Sequence, residues 1–151
     1  MTVIAATIRA GGESAAGPEA RALSRGQVHV WVVRWDGPAQ AAVVDAWEEL
    51  LDDAELARCR RLGEGQARRQ YVAAHGLVRQ ALSRYAPVAP RAWRFAPGPG
   101  GKPRIVGPAD GAGIRFNLSH THGLAACAVA GPPATAWPVS FASGGCMNTG
   151  F

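Results

Sequence analysis

Residues 28–35, VHVWVVRW, are apolar on both faces at a period of two and predict a strand buried inside a sheet. Asp36-Gly37-Pro38 ends it, and from Ala39 the pattern turns helical through AAVVDAWEELL. DDAE then supplies a capping-box start, with Asp52 placed to cap and Glu55 three residues on, for a short helix to about Leu62. A longer helix is predicted over roughly Gly65 to Tyr85. Its core stripe is Tyr71, Ala74, Val78, Ala81, Leu82 and Tyr85, at spacings of three and four, while Arg68, His75 and Arg79 fall on another stripe. RCRR (58–61) and ARR (67–69) read as the wet faces of the two helices.

After PVAP stops that helix, AWRF (92–95) and RIV (104–106) are short strand candidates joined by the loop APGPGGKP. IRFNL (114–118) and LAACAVA (124–130) predict two more strands around a polar turn. The two ends differ from this middle. Residues 1–26, rich in Ala, Gly and Ser without a sustained period, read as a disordered lead-in. Residues 131–151 contain no Lys, Arg, His, Asp or Glu and read as an uncharged irregular tail.

At 151 residues the chain has room for one domain with a substantial core. No apolar run approaches the roughly 18 residues of a membrane helix, and the first twenty residues lack the basic flank and apolar stretch of a signal peptide. Cys59, Cys127 and Cys146 are odd in number and unrelated in spacing, which fits a reduced, cytoplasmic chain. The formal net charge of +5 attracts phosphates, so nucleic acid, a nucleotide or an acidic protein all fit the field. Of the 16 basic residues all but Lys102 are arginine, and Lys102 stands in the glycine loop GGKPR.

The densest chemistry is FNLSHTHG (116–123). Taken as metal ligands, His120 and His122 point the same way on an extended segment, but zinc needs three or four protein ligands and only Cys127 is near. Taken as a nucleophile, Ser119 lacks a glycine-flanked elbow and no acid follows to orient a histidine. A phosphate socket asks less: backbone N–H groups, the hydroxyls of Ser119 and Thr121, and His120 can all donate to anionic oxygen. A polar turn that satisfies only its own backbone remains the alternative.

LARCRRL, RRQYVAAHGLVRQAL, GKPRI and FNLSHTHGLAACAVA, in this order over roughly residues 50–130, resemble the 4′-phosphopantetheinyl transferases of the surfactin-synthetase-activating type. The resemblance implies an α+β fold of mainly antiparallel strands packed on two or three helices. It makes residues 27–130 one α/β-type half of a pseudo-dimer. The implied activity is transfer of the phosphopantetheine arm of coenzyme A to a serine of an acyl or peptidyl carrier protein, with magnesium, in secondary metabolism. Ser119 and His120 would hold the 3′-phosphate of the cofactor with Thr121 beside them, and Lys102 would reach the phosphates from its loop. Arg58 would be a peripheral phosphate partner. The family's usual helix arginine falls on Gln70, with Arg69 next to it.

The same resemblance expects magnesium carboxylates in a Gly-x-Asp-x-Glu strand after the recognition turn, and a later Trp-x-x-Lys-Glu helix. Here the last acidic residue is Asp110, and the corresponding stretch reads GPPATAWPVSFASGG. The expectation is therefore a half-fold, truncated or frameshifted after about residue 130, with no metal ligands and no activity by itself. The competing expectations are a non-catalytic coenzyme A or nucleotide-binding half-domain and, less favoured because the arginines are scattered without a motif, a basic nucleic-acid-binding protein.

Overall fold

The computed structural model describes residues 2–7, 23, 27–37, 42, 44–109 and 113–131. In chain order they form β1 (Thr2–Thr7), β2 (Gln27–Arg34), a 3-10 turn (Trp47–Leu50), α1 (Asp53–Leu62), α2 (Gln66–Leu82), β3 (Arg94–Pro97), β4 (Pro103–Gly107), β5 (Arg115–Thr121) and β6 (Leu124–Ala130). One sheet has the order β1-β2-β6-β5, with β1 parallel to β2 and the other pairs antiparallel. β3 and β4 form a separate antiparallel pair. The fold is α+β, mainly antiparallel, as expected. Val28 pairs with Ala130, so the first and last strands of the 27–130 segment close on each other.

β2 lies between two partners, which is why its sequence is apolar on both faces. Ala125, Cys127 and Val129 on β6 share one face with Trp31 and Val33 of β2, and this face packs on α2. Along α2, Tyr71 through Arg79 are all buried, so the helix is enclosed on every side rather than along one stripe. Gly76 permits this closeness: an added Cβ would lie 2.8 Å from Trp47 Cε3. Tyr85, just past α2, accepts a hydrogen bond from Trp31 Nε1 and bonds His29 Nδ1, each at 2.8 Å.

Two expectations change. The lead-in is not structureless over Thr2–Thr7, which pair in parallel with Gln27–Val32. Their β-branched, apolar TVIAAT is too short to show a period. The polar turn also shrinks. β5 continues through Ser119, His120 and Thr121, which pair with Ala126, Ala125 and Leu124, leaving only His122 and Gly123 as the connection. Gly123 has φ of 75°, the left-handed value a two-residue turn of this kind needs at its second position. An added Cβ there would also meet Asp36 Oδ2 at 2.5 Å. Trp35 N donates to Gly123 O at 3.0 Å, so the tip is docked on the end of β2. The tail from residue 132, with Cys146, lies outside the described residues.

The helices are locked by a buried ionic network. The capping box forms as its spacing predicts: Glu55 N donates to Asp52 Oδ1 and Asp52 N to Glu55 Oε2, both at 3.0 Å. Arg79, fully buried, donates from Nε to Glu55 Oε2 and from Nη2 to Asp52 Oδ2, each at 2.9 Å. Its Nη1 donates to the carbonyls of Pro90 and Trp93 at 3.0 Å, and the guanidinium lies 5.2 Å from the Phe95 ring. His75 Nδ1 donates to Glu55 Oε1 at 2.9 Å, and its ring stacks on Tyr71 with centroids 3.9 Å apart. Burial lowers the His75 pKa despite the adjacent carboxylate, so the imidazole is neutral. Burial alone would raise the Glu55 carboxyl, but the His75 hydrogen bond and the Arg79 charge outweigh it and hold it below its ordinary value.

Arg79→Met leaves Asp52 and Glu55 without their cation, and urea unfolding should show a loss of about 3–5 kcal/mol. His75 and Glu55 both bind protons less readily folded than unfolded, so their contribution is complete above the unfolded values and lost toward acid. The melting temperature should therefore drop as pH falls below the ordinary histidine value of 6.5, and again below the carboxylate value of 4.5. His75→Gln should flatten part of the upper step; His120, whose pKa burial also lowers, contributes to the same step. Gly123→Ala should cost about 1–3 kcal/mol in the same unfolding experiment, through left-handed strain and the Asp36 contact.

Candidate functional site

The strand alternation of β5 divides the motif between two faces. Phe116, Leu118 and His120 share the face of Val129, Cys127 and Ala125, which is packed against α2. Asn117, Ser119 and Thr121 fall on the opposite face, and the last two are exposed. Ser119 and His120 thus do not converge on one side of the sheet. Among the described residues, however, β5 is the outer strand of its sheet, so along its edge the Ser119 hydroxyl stands on one face and the His120 imidazole on the other.

α2 brings a second set of groups to this edge. Gln70 Nε2 donates to His120 Nδ1 at 2.5 Å, and Gln66 Nε2 donates to His122 Nδ1 at 2.5 Å. Four residues along a helix advance about 6 Å and two along a strand about 6.6 Å, so the two glutamines and two histidines match in register. Neither glutamine stands out by residue type. The signal that could have found them is this matched spacing of four and two.

Burial lowers the His120 pKa. With Nδ1 accepting from an amide, the ring is neutral and its proton sits on Nε2. α2 begins at Gln66 with Gly65 as an N-cap that offers no side-chain oxygen, and no acidic residue occupies the first turn. The positive end of the helix and its first N–H groups therefore lie beside the hairpin without a carboxylate in that turn to quench them.

The other expected residues are spread around this centre. Arg58, half-buried on α1, has its guanidinium 5.9 Å from the Tyr71 ring, and its buried Nε has no hydrogen-bond partner among the described residues. Arg69 is exposed, one residue and so about 100° around the helix from Gln70. Arg68 beside it is held by Glu48 at 2.7 Å. Lys102 is exposed in the loop between β3 and β4, where its carbonyl accepts from Gly98 N at 2.7 Å. Only His120 of these is joined to the α2 glutamines. Cys59 and Cys127 are buried, with burial raising the Cys59 thiol to about 11 and Cys127 further, so neither is a nucleophile.

Nowhere among the described residues do three His, Cys, Asp or Glu side chains gather as a metal would need. Several carboxylates near the helices are committed: Asp52 and Glu55 to Arg79, Glu48 to Arg68, and Asp53 to Arg91. Asp36, at the hairpin tip, faces Arg34 at 3.4 Å. These residues do not fit a magnesium centre. Among the described residues no helix is long and apolar enough to cross a membrane.

No protein-family model matches the chain. It is 36% identical over 103 residues to the 4′-phosphopantetheinyl transferase HetI of Nostoc sp.; the match takes in 68% of this chain and 43% of that protein. The chain thus spans less than half the length of the curated relative it matches. An identity of this size over 103 residues reflects common descent, and the matched stretch belongs to the 4′-phosphopantetheinyl transferase superfamily.

Proposed function

We propose that this chain holds the phosphates of coenzyme A along the β5 edge, at the surfactin-type recognition strand. The reaction this site serves is transfer of the phosphopantetheine arm to a serine of an acyl or peptidyl carrier protein. The observation that carries the reading is the His120–Gln70 pair: a neutral imidazole with its Nε2–H available, on an outer strand beside a helix start without an acidic cap, in a chain with a transferase as its relative. Ser119 and His120 bind the 3′-phosphate from the two faces, with the Thr121 hydroxyl beside Ser119. Helix N-termini and oriented N–H groups favour such anions. Arg58 and Arg69 add positive charge from the adjoining helices, and Lys102 closes on the phosphates from its glycine loop.

Transfer itself is a different matter. The family's magnesium needs converging carboxylates, and the described residues provide none. Residues 111–151 contain no Asp or Glu at all. We therefore assign the 151-residue polypeptide a binding role and place arm transfer beyond its own residues; cytoplasmic coenzyme A and a carrier protein are its proposed partners.

Calorimetry with 3′,5′-ADP should detect binding, weakened on the order of tenfold by His120→Ala and by Lys102→Ala, as expected for lost hydrogen bonds to a charged group. Incubation with coenzyme A, magnesium and an apo carrier protein should leave the carrier's mass unchanged, and a gain equal to the phosphopantetheine arm would refute the binding-only assignment. Salt-dependent binding to duplex DNA, without competition by 3′,5′-ADP, would replace the reading with a nucleic-acid one.

A further inference from the structure

Gln70 lies in the second turn of α2, next to Tyr71, Val72, Ala73 and Ala74, all buried. Its backbone is therefore fixed by the core, while its half-buried side chain reaches across to β5. The His120 ring sits opposite Ala125 on β6, which offers it no polar group. Leu118 flanks it on its own strand face, burial alone lowers its pKa, and His75 on α2 is near enough for His120 to act on it. A neutral imidazole has one donor and one acceptor nitrogen, and the bond made by one fixes the role of the other.

We propose that Gln70 is a positioning residue for anion binding: by donating to Nδ1 it holds His120 in a single orientation and as the Nε2–H tautomer, so that the Nε2 proton is presented to the phosphate at the β5 edge. The proposal rests on the binding reading above. The residue type is specific. A carboxylate at this position accepts rather than donates, and so draws the proton to Nδ1. An aliphatic side chain leaves Nδ1 unbonded and the ring free to turn over. The amide donates and brings no charge.

The direct test is a long-range proton–nitrogen correlation spectrum of the histidine rings in the nucleotide-free chain, above the ordinary histidine pKa. His120 should show an unprotonated Nδ1 and a protonated Nε2. Gln70→Glu, identical in shape, should protonate Nδ1. A wild-type ring already protonated at Nδ1, or a Gln70→Glu spectrum unchanged at His120, overturns the proposal. The second test is a double-mutant cycle on 3′,5′-ADP affinity. Gln70→Leu should weaken binding on the order of tenfold in the wild-type background and have no further effect in His120→Ala, because it acts through that ring. An equal loss in both backgrounds would show that Gln70 touches the ligand itself and overturn the positioning role. If the Gln70→Glu ring switches tautomer while His120→Ala binds as well as wild type, the Gln70–His120 pairing stands and the phosphate reading is what fails.

Discussion

One buried cation ties the two helices to each other and to the chain that leads into β3. Arg79 donates to Glu55 and Asp52 on and before α1 and to the carbonyls that lead into β3. Removing a guanidinium from water is expensive, and the expense is offset only when its N–H groups are satisfied at once. That requirement sets the crossing of α1 on α2 and the path of the chain from Pro90 to Trp93. Leucine at position 79 would leave Asp52 and Glu55 without their cation, and it would place no such demand on where the partners stand. The network thus gives orientation more than net stability, and orientation is what a site split between a helix and a strand needs.

From that frame the α2 start is aimed at the β5–β6 hairpin. Ion pairs hold α2 near both ends, through Arg68 and Arg79, Trp47 closes on it at Gly76, and the sheet covers its inner side. Over its first two turns Gln66 and Gln70 meet the two histidines, while Arg68 between them is held by Glu48. The hairpin is held from its other side by Trp35 and Asp36 against Gly123. Both halves of the proposed site are thereby held in place by the fold itself, which would lower the ordering cost of binding.

Much of this was legible in the sequence, for identifiable reasons. The capping box at Asp52–Glu55, the extent of α1 and the strand at 124–130 are set by local patterns, and each forms where its pattern lies. His75 and Arg79 were legible only as a second stripe. Their burial depends on Glu55 and Asp52, twenty or more residues away, and no periodicity reports that. β1 was missed because its pairing with β2 is nonlocal and parallel. The recognition motif was read as a turn because Ser, His and Thr are polar. The apolar partners Leu124, Ala125 and Ala126 extend the ladder through them regardless.

The same extension changes what the motif can do. A turn would gather Ser119, His120 and Thr121 around one anion, whereas a strand sends neighbouring side chains to opposite faces. An edge strand reconciles the two, since a phosphate at the edge is within reach of both faces and of the backbone between them. The histidine then needs help that a turn would not require. On the inner face it is partly buried, its pKa is lowered, and it has lost the charge that would attract the anion by itself. What remains is one directed N–H, useful only if its direction is controlled. In the proposed reading, the net positive field of the chain would draw the phosphate in, and the dipole of α2 would favour it at that end. On that proposal, the geometry of the imidazole, set from α2, is what would decide where the phosphate stops.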